Sequence, residues 1–166
     1  MKKLVILLIL LLSMPSIGQE SLDLLLKAMN SNSIPYISVE ELRQLQATDS
    51  IYLLDAREPE EYKVSHIASA TYIGYSAYTS ETIAEKIKDK NAPIVVYCSL
   101  GIRSEKIGEK LKKEGYTNVK NLYGGIFTWK NKGYEVVDST ATTTENVHAY
   151  SRIWGKWLNS GNKVYD

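Results

Sequence analysis

The amino-acid sequence predicts a single α/β domain with a mainly parallel β-sheet. Short strand-like runs alternate with helical patterns along the chain, which is the order that parallel strands and crossover helices produce. One run, IVVYC at residues 94–98, is apolar throughout, as expected for a central strand covered on both faces. A length of 166 residues with 44% apolar residues suits one hydrophobic core better than two.

Turn and capping residues place the elements of this domain. Ser38 and Glu41 form an S-x-x-E capping box, which predicts a helix start after a short strand. After the third strand a helix is predicted over residues 104–114, ended by Gly115, because glycine favours the positive φ of a helix C-terminus. Another helix is predicted over residues 126–130. The four main strands are predicted at residues 51–55, 70–73, 94–98 and 118–122.

The N-terminus has the layout of a secretory signal peptide. Lys2 and Lys3 precede nine apolar residues, 4–12, and small or turn-forming residues follow. Because a membrane-spanning helix needs about 20 apolar residues, this run is too short to favour a retained anchor. We expect a signal peptide over residues 1–18, cleavage near Gly18, and export to the periplasm or the medium.

Three further segments are predicted after the signal peptide. Residues 19–35 form an N-terminal helix that Ser21 could cap, residues 36–137 form the α/β domain, and residues 138–166 form a polar linker and a C-terminal amphipathic helix. The apolar face of that last helix favours docking on its own domain, with contact to a membrane or a protein partner as the alternative. This face is formed by Val147, Tyr150, Trp154, Trp157 and Leu158.

Composition excludes several classes of function. The chain has 20 basic and 19 acidic residues, a formal net charge of +1, so no nucleic-acid partner is predicted. It has one cysteine and two histidines, which rules out an internal disulfide and gives no spacing typical of a metal site. We predict neither a metal nor another cofactor.

Cys98, the single cysteine, stands at the end of the apolar strand with Gly101 and Arg103 shortly after it. A chain that turns there into a helix directs backbone N–H groups into a concavity, which binds anions. A helix N-terminus and a nearby cation both lower the pKa of a cysteine. These features favour a nucleophilic Cys98, and the alternative is a small apolar residue that completes a core strand.

In four stretches the sequence resembles the rhodanese-like family, and the stretches follow the family's order. The resemblance covers about residues 36–137 and implies a doubly wound α/β domain with a five-stranded, mostly parallel sheet flanked by helices. It also implies a sulfurtransferase that needs no cofactor. The stretches are LLDAREPEEY (53–62), SHIASATYIGY (65–75), VVYCSLGIRS (95–104) and NLYGGIFTWKNKGYEV (121–136).

The resemblance implies that Cys98 carries sulfur as a persulfide, taken from thiosulfate or another persulfide and passed to cyanide or a thiol. Six residues run from Cys98 to Arg103, whereas phosphatases of similar fold have one more, which favours sulfur over phosphate. The loop is less basic than in thiosulfate-preferring members, which leaves a donor other than thiosulfate open. The implied substrate-binding residues are Arg103, Arg57, Ser99, Leu100, Gly101, Ile102 and Ser104.

Two roles stay open at this point. A structural salt bridge with Asp55 is as good an explanation for Arg57 as donor binding is. His66 is expected to order a turn rather than to titrate in catalysis. For the whole chain, the alternative to an exported sulfurtransferase is a non-catalytic binding or redox-sensing module of the same family.

Overall fold

The computed structural model describes residues 17–48 and 51–165. Helix α1 (Ile17–Met29) contains the last two positions of the predicted signal peptide, and the rest of that segment lies outside the described residues. Ser21 lies inside α1, so its prediction as the N-cap is wrong, because the helix begins one turn earlier. Within the described ranges, no helix combines the length and the apolar character needed to cross a membrane.

The main sheet has five strands in the order β1-β5-β4-β2-β3, and its four neighbouring pairs all run parallel. This confirms the predicted fold class. β4 lies at the centre of the sheet, so the residue that follows it lies at the middle of the carboxyl edge. The strands are β1 (Tyr36–Ile37), β2 (Tyr52–Asp55), β3 (Thr71–Tyr72), β4 (Ile94–Tyr97) and β5 (Val119–Leu122).

Helices cover both faces of the sheet. The residues of β4 show this, because alternate side chains of a strand point to opposite faces. Val95 and Tyr97 join an apolar cluster with residues of α1, α2 and α6, whereas Ile94 and Val96 join a second cluster with residues of α4 and α5. The predicted doubly wound arrangement is therefore present. The helices are α2 (Val39–Thr48), α3 (Pro59–Val64), α4 (Ser80–Lys86), α5 (Ile102–Lys113) and α6 (Gly125–Asn131).

Local signals in the sequence fix several helix ends. The Ser38 N–H donates to Glu41 Oε2 at 2.8 Å and the Glu41 N–H donates to Ser38 Oγ at 3.2 Å, so the predicted capping box is confirmed. Gly115 has the expected positive φ, 93°. Helix α5 begins at Ile102, two residues before the predicted start.

The C-terminal segment differs from the prediction. The linker contains β7 (Thr143–Thr144), which pairs antiparallel with β6 (Val136–Val137). The predicted amphipathic helix is wrong: β8 (Asn146–His148), a 3₁₀ helix (Trp154–Trp157) and β9 (Asn162–Val164) replace it, with β8 parallel to β9. We call residues 138–165 the C-terminal extension.

A tight turn is the reason that no α-helix forms there. Tyr150 has a left-handed φ of 62°, and the Ser151 N–H donates to the Ala149 carbonyl at 2.7 Å. Val147 and Leu158 are still fully buried in the cluster that contains α1, so the apolar residues do dock on their own domain. The helical face on which the predicted membrane contact depended is absent from the described residues.

Candidate active site

Cys98 lies directly after the central strand of the sheet. β4 is buried along its length, and the exposed fraction of Cys98 is 0%. The chain then turns through Gly101, whose φ of 111° suits a residue without a side chain, and enters α5. We call residues 98–103 the cysteine loop. It brings together, in one turn of chain, the predicted residues from Cys98 to Arg103, with Ser104 next to it.

Two hydrogen-bond donors face the Cys98 sulfur. The Gly101 N–H lies 3.1 Å from Sγ, and the Ser104 hydroxyl oxygen lies 3.4 Å from it. Burial opposes ionisation of the thiol, but the Arg103 guanidinium and these two donors outweigh burial, so the pKa of Cys98 lies below its ordinary value. Because the thiolate is the reactive form of cysteine, the loop supports nucleophilic chemistry at Sγ.

A buried asparagine on β5 braces the cysteine loop. Asn121 Nδ2 donates to the Gly101 carbonyl at 2.8 Å, and its Oδ1 accepts a hydrogen bond from the Ser104 hydroxyl at 2.7 Å. Ser104 has one hydroxyl proton, so Asn121 and the Cys98 sulfur compete for it. Asn121 was not among the predicted site residues, although a polar residue inside a predicted strand was a signal for it.

Glu61 of α3 holds Arg103 from the other side of the loop. Arg103 Nη1 lies 2.6 Å from Glu61 Oε2, and Nη2 lies 2.8 Å from Oε1, which is a bidentate pair. Ser99 Oγ donates to the same carboxylate at 2.9 Å and accepts from Arg103 Nη2 at 3.0 Å. Burial favours a neutral Glu61, but the bonds to Arg103 dominate, so the pKa of Glu61 lies below its ordinary value. Both Nη groups of Arg103 are thus committed within the protein.

Arg57 forms a separate buried pair. Its Nε and Nη2 donate to the Asp55 carboxylate at 3.0 and 2.6 Å, and Nη2 also donates to the Ser65 carbonyl at 2.7 Å. Neither partner belongs to the cysteine loop. Arg57 therefore forms the structural salt bridge that the sequence left open, and donor binding by Arg57 stays a prediction. The backbone N–H and carbonyl of His66 form an antiparallel bridge with Val137 at 2.8 and 2.9 Å, and its ring Nδ1 lies 3.1 Å from the Tyr62 carbonyl oxygen, so an ordering role in a turn stays a prediction.

The C-terminal extension covers part of the cysteine loop. The Arg103 guanidinium carbon lies 4.6 Å from the centre of the Tyr150 ring, which is a cation–π distance. Leu100 is fully buried in the cluster that contains Val147 and Ala149 of the extension, and Ile102 is 5% exposed. The apolar side chains of the loop therefore face protein rather than solvent.

The N-terminus of α6 packs directly on the backbone of the cysteine loop. The Ile126 N–H donates to the Cys98 carbonyl at 2.9 Å, and the Phe127 N–H donates to the Ser99 carbonyl at 3.2 Å. A Cβ atom on Gly125 would lie 2.2 Å from the Cys98 carbonyl oxygen, a distance that no side chain tolerates. Position 125, the second glycine of the GG pair in the sequence, therefore requires glycine.

A family model for the rhodanese-like domain matches residues 38–132 of the chain, more than half of its length. The chain belongs to the rhodanese-like family. The match includes the cysteine loop and Glu61, and it excludes α1 and the whole C-terminal extension. The C-terminal extension that covers part of the loop thus lies outside the matched family domain.

Named relatives of this chain differ in function. It is 34% identical over 94 residues to a thiosulfate sulfurtransferase, GlpE of Coxiella burnetii, covering 57% of this chain and 85% of the relative. It is 35% identical over 104 residues to a putative sulfur carrier protein, YrkF of Bacillus subtilis, covering 62% of this chain but only 55% of the relative. A tRNA uridine(34) hydroxylase of Shouchella clausii is 35% identical over 135 residues, covering 73% of this chain and 41% of that protein.

Solved structures share the fold. A rhodanese-related protein from Thermoplasma volcanium superposes with a TM-score of 0.52 at 30% identity, covering 62% of this chain and 97% of that one. A thiosulfate sulfurtransferase from Pseudomonas aeruginosa gives a TM-score of 0.61 at 21% identity, covering 85% of this chain and 26% of that one. The second likeness shows the fold alone.

Proposed function

We propose that the chain is a sulfurtransferase that carries sulfane sulfur as a persulfide on Cys98. The observation that supports this most strongly is the thiol itself, which has a lowered pKa and is held by donors from Gly101 and Ser104. The named thiosulfate sulfurtransferase among the relatives supports the same reaction class. Sulfur transfer needs a nucleophilic thiolate and a cradle for negative charge, and the loop provides both.

Each half of the reaction is a simple displacement. The Cys98 thiolate attacks the sulfane sulfur of a donor, the new S–S bond forms, and the bond from that sulfur to the donor breaks. With thiosulfate the leaving group is sulfite, and the Cys98 persulfide keeps the negative charge. An acceptor such as cyanide then takes the outer sulfur as thiocyanate and restores the thiolate.

The loop residues stabilise charge in both states. The Gly101 N–H donates to the Cys98 Sγ atom. The Ser104 hydroxyl can rotate so that it donates to this sulfur instead of to Asn121 when negative charge develops on the sulfur. Helix α5 begins at Ile102, and the positive end of its dipole also stabilises negative charge on the sulfur. These groups are fixed by the fold before the reaction, so little reorganisation is needed.

Export is part of the proposal and depends on the sequence pattern of residues 1–18. Expression of the full chain in a Gram-negative host tests it. We expect the periplasmic fraction to contain a protein whose intact mass corresponds to a start at Gln19. A cytosolic protein that keeps Met1 would contradict export and would leave the sulfurtransferase proposal untouched.

Turnover assays test the function itself. The wild type should form thiocyanate from cyanide with at least one sulfane donor, and Cys98→Ser should not. A matched control is the double variant Cys98→Ser/Ser139→Cys, because Ser139 is exposed and lies outside the loop. This control keeps one thiol in the chain but places it outside the cysteine loop, so we expect no turnover. Equal turnover by the double variant would contradict a built site.

The alternative is a non-catalytic binding or redox-sensing module, and one observation favours its binding form. Cys98, Ser99 and Leu100 all have an exposed fraction of 0%, so the loop is closed in this structure. A module of this kind would show no thiocyanate formation with any donor. Its redox-sensing form would instead require reversible oxidation of Cys98, which a fully buried thiol disfavours.

A further inference from the structure

Asn30 reaches the cysteine loop from outside the matched family domain. It follows α1 directly, whereas the family match begins at residue 38. Its Nδ2 donates to the Gly101 carbonyl at 2.9 Å and to the Tyr36 hydroxyl oxygen at 2.7 Å. A side-chain amide nitrogen carries two hydrogens, so both bonds form at once and fix the direction in which the amide points.

The residue that Asn30 contacts also donates to the nucleophile. The Gly101 N–H lies 3.1 Å from the Cys98 Sγ atom. Because glycine has wide backbone freedom, the direction of this N–H depends on what holds the residue. The Gly101 carbonyl accepts a second hydrogen bond, from Asn121 Nδ2 at 2.8 Å, so both of its lone pairs are used. Two side chains from different segments thus hold the residue that faces the sulfur.

The segment that contains Asn30 is itself fixed on the domain. The Asn30 N–H donates to the Leu26 carbonyl at 2.8 Å, and Leu26 is buried in the core. Ser31 Oγ and the Ser33 N–H donate to Glu105 Oε1 at 3.0 and 3.2 Å, and Glu105 is a buried residue of α5. The chain is therefore anchored before and after Asn30, which gives its amide a defined position.

Tyr36 holds the Asn30 amide without opposing the thiolate. Burial raises the pKa of Tyr36, although the hydrogen bond from Asn30 lowers it, and the negative charge of Cys98 is among the causes that raise it. The Tyr36 hydroxyl is therefore neutral near neutral pH. Its oxygen accepts from Asn30 and adds no negative charge near the sulfur.

We infer that Asn30 is a positioning residue for the Cys98 nucleophile, because it holds Gly101 with its N–H directed at the sulfur. Asn30 acts through Gly101 and needs no contact with a substrate. A hydrogen bond to a thiolate favours the charged form, so a well-directed N–H keeps more of Cys98 ionised near neutral pH. The consequence for sulfur transfer rests on the proposed function, in which this thiolate is the attacking group.

The variant Asn30→Leu tests this role, because leucine is similar in size to asparagine and cannot donate. Rates of iodoacetamide alkylation of Cys98 across pH, followed by intact mass, give the midpoint of thiol ionisation. We expect the midpoint to rise by about 0.5 and alkylation at pH 7 to slow about threefold. The effect is limited because Gly101 keeps its bond from Asn121.

Asn131→Leu is the matched control. Asn131 is also a half-buried asparagine that ties a flanking segment to the domain, since its Nδ2 donates to the Trp157 carbonyl at 2.7 Å and its Oδ1 accepts from the Asn159 N–H at 2.6 Å. Neither bond involves the cysteine loop. We expect this control to lower the melting temperature and to keep the wild-type midpoint. An equal rise of the midpoint in both variants would overturn the inference, because lost stability would then explain it.

The outcomes separate this inference from the proposed function. An unchanged midpoint in folded Asn30→Leu overturns the inference, whether or not the wild type accepts sulfur. If the midpoint rises but no donor adds sulfur to the wild type, the proposed function fails and the role of Asn30 at the thiolate stands. Should Asn30→Leu fail to fold, as a thermal melt would show, Asn30→Ala replaces it, and the same rise of the midpoint is expected.

Discussion

Two buried arginine–carboxylate pairs of this molecule look alike and have different surroundings. Arg57 and Asp55 are two residues apart at the end of β2, and both side chains are fully buried. Arg103 and Glu61 come from α5 and α3, and Arg103 lowers the pKa of Cys98. The first pair holds a turn, whereas the second both holds the cysteine loop and sets the charge near the thiol. A buried arginine–carboxylate pair therefore does not reveal function by itself, whereas the nucleophile beside it does.

The largest expected effect comes from breaking the pair that lies away from the thiol. Asp55→Ala leaves the Arg57 guanidinium buried and unpaired, so we expect the free energy of unfolding to fall by about 3–5 kcal/mol. Urea denaturation measures this change. The pH midpoint for alkylation of Cys98 should stay at the wild-type value. A shifted midpoint in a folded Asp55→Ala protein would show that the two pairs are not distinct in function.

How much of this arrangement the sequence could predict depends on the range of the contacts. The capping box of Ser38 and the strand before Cys98 are local patterns, so they were predictable. The partners of Arg103 and Ser104 were not, because Glu61 lies 42 residues from Arg103 and Asn121 lies 17 from Ser104. The spacing of residues within one segment does not predict which side chain from a distant segment will contact that segment.

The C-terminal extension shows the same limit. Its apolar spacing fits a helix, and the burial of Val147 and Leu158 agrees with that spacing. The backbone instead follows a pairing of β8 with β9 and the left-handed turn at Tyr150. Parallel pairing between two short strands is a non-local contact that a periodicity cannot distinguish from a helical face.

The next largest effect is expected at the pair beside the thiol. Arg103→Leu removes the cation that helps to lower the pKa of Cys98, so this pKa should rise. A lowered pKa keeps the thiolate present at lower pH, and the substitution should therefore move the alkylation midpoint to higher pH. At pH 7 we expect alkylation to slow on the order of tenfold.

Rates of iodoacetamide alkylation across pH measure that shift, followed by intact mass. Arg43→Leu is a matched control, because Arg43 is an exposed arginine that lies over Trp129 and Tyr134 rather than at the loop. The control should keep the wild-type midpoint. An unchanged midpoint in Arg103→Leu would contradict the electrostatic role assigned to Arg103.

The smallest effect is expected where the extension covers the loop. Tyr150→Leu removes the ring that lies 4.6 Å from the Arg103 guanidinium, so unfolding should become easier by about 0.5–2 kcal/mol. Thermal or urea denaturation measures the change. Ile153→Ala, at a side chain that is 67% exposed, is the control and should stay within about 0.5 kcal/mol of the wild type. If both substitutions changed the free energy of unfolding equally, the cation–π contact assigned to Tyr150 would be contradicted.

The central claim is that Cys98 receives a sulfane sulfur. Its most direct test is to incubate the protein with cysteine persulfide, digest it and locate any added sulfur by tandem mass spectrometry. We predict one added sulfur on the peptide that contains Cys98, and its loss when cyanide is added with release of thiocyanate. A Cys98 peptide that stays unmodified in folded protein, or an added sulfur that cyanide cannot remove, would contradict the account.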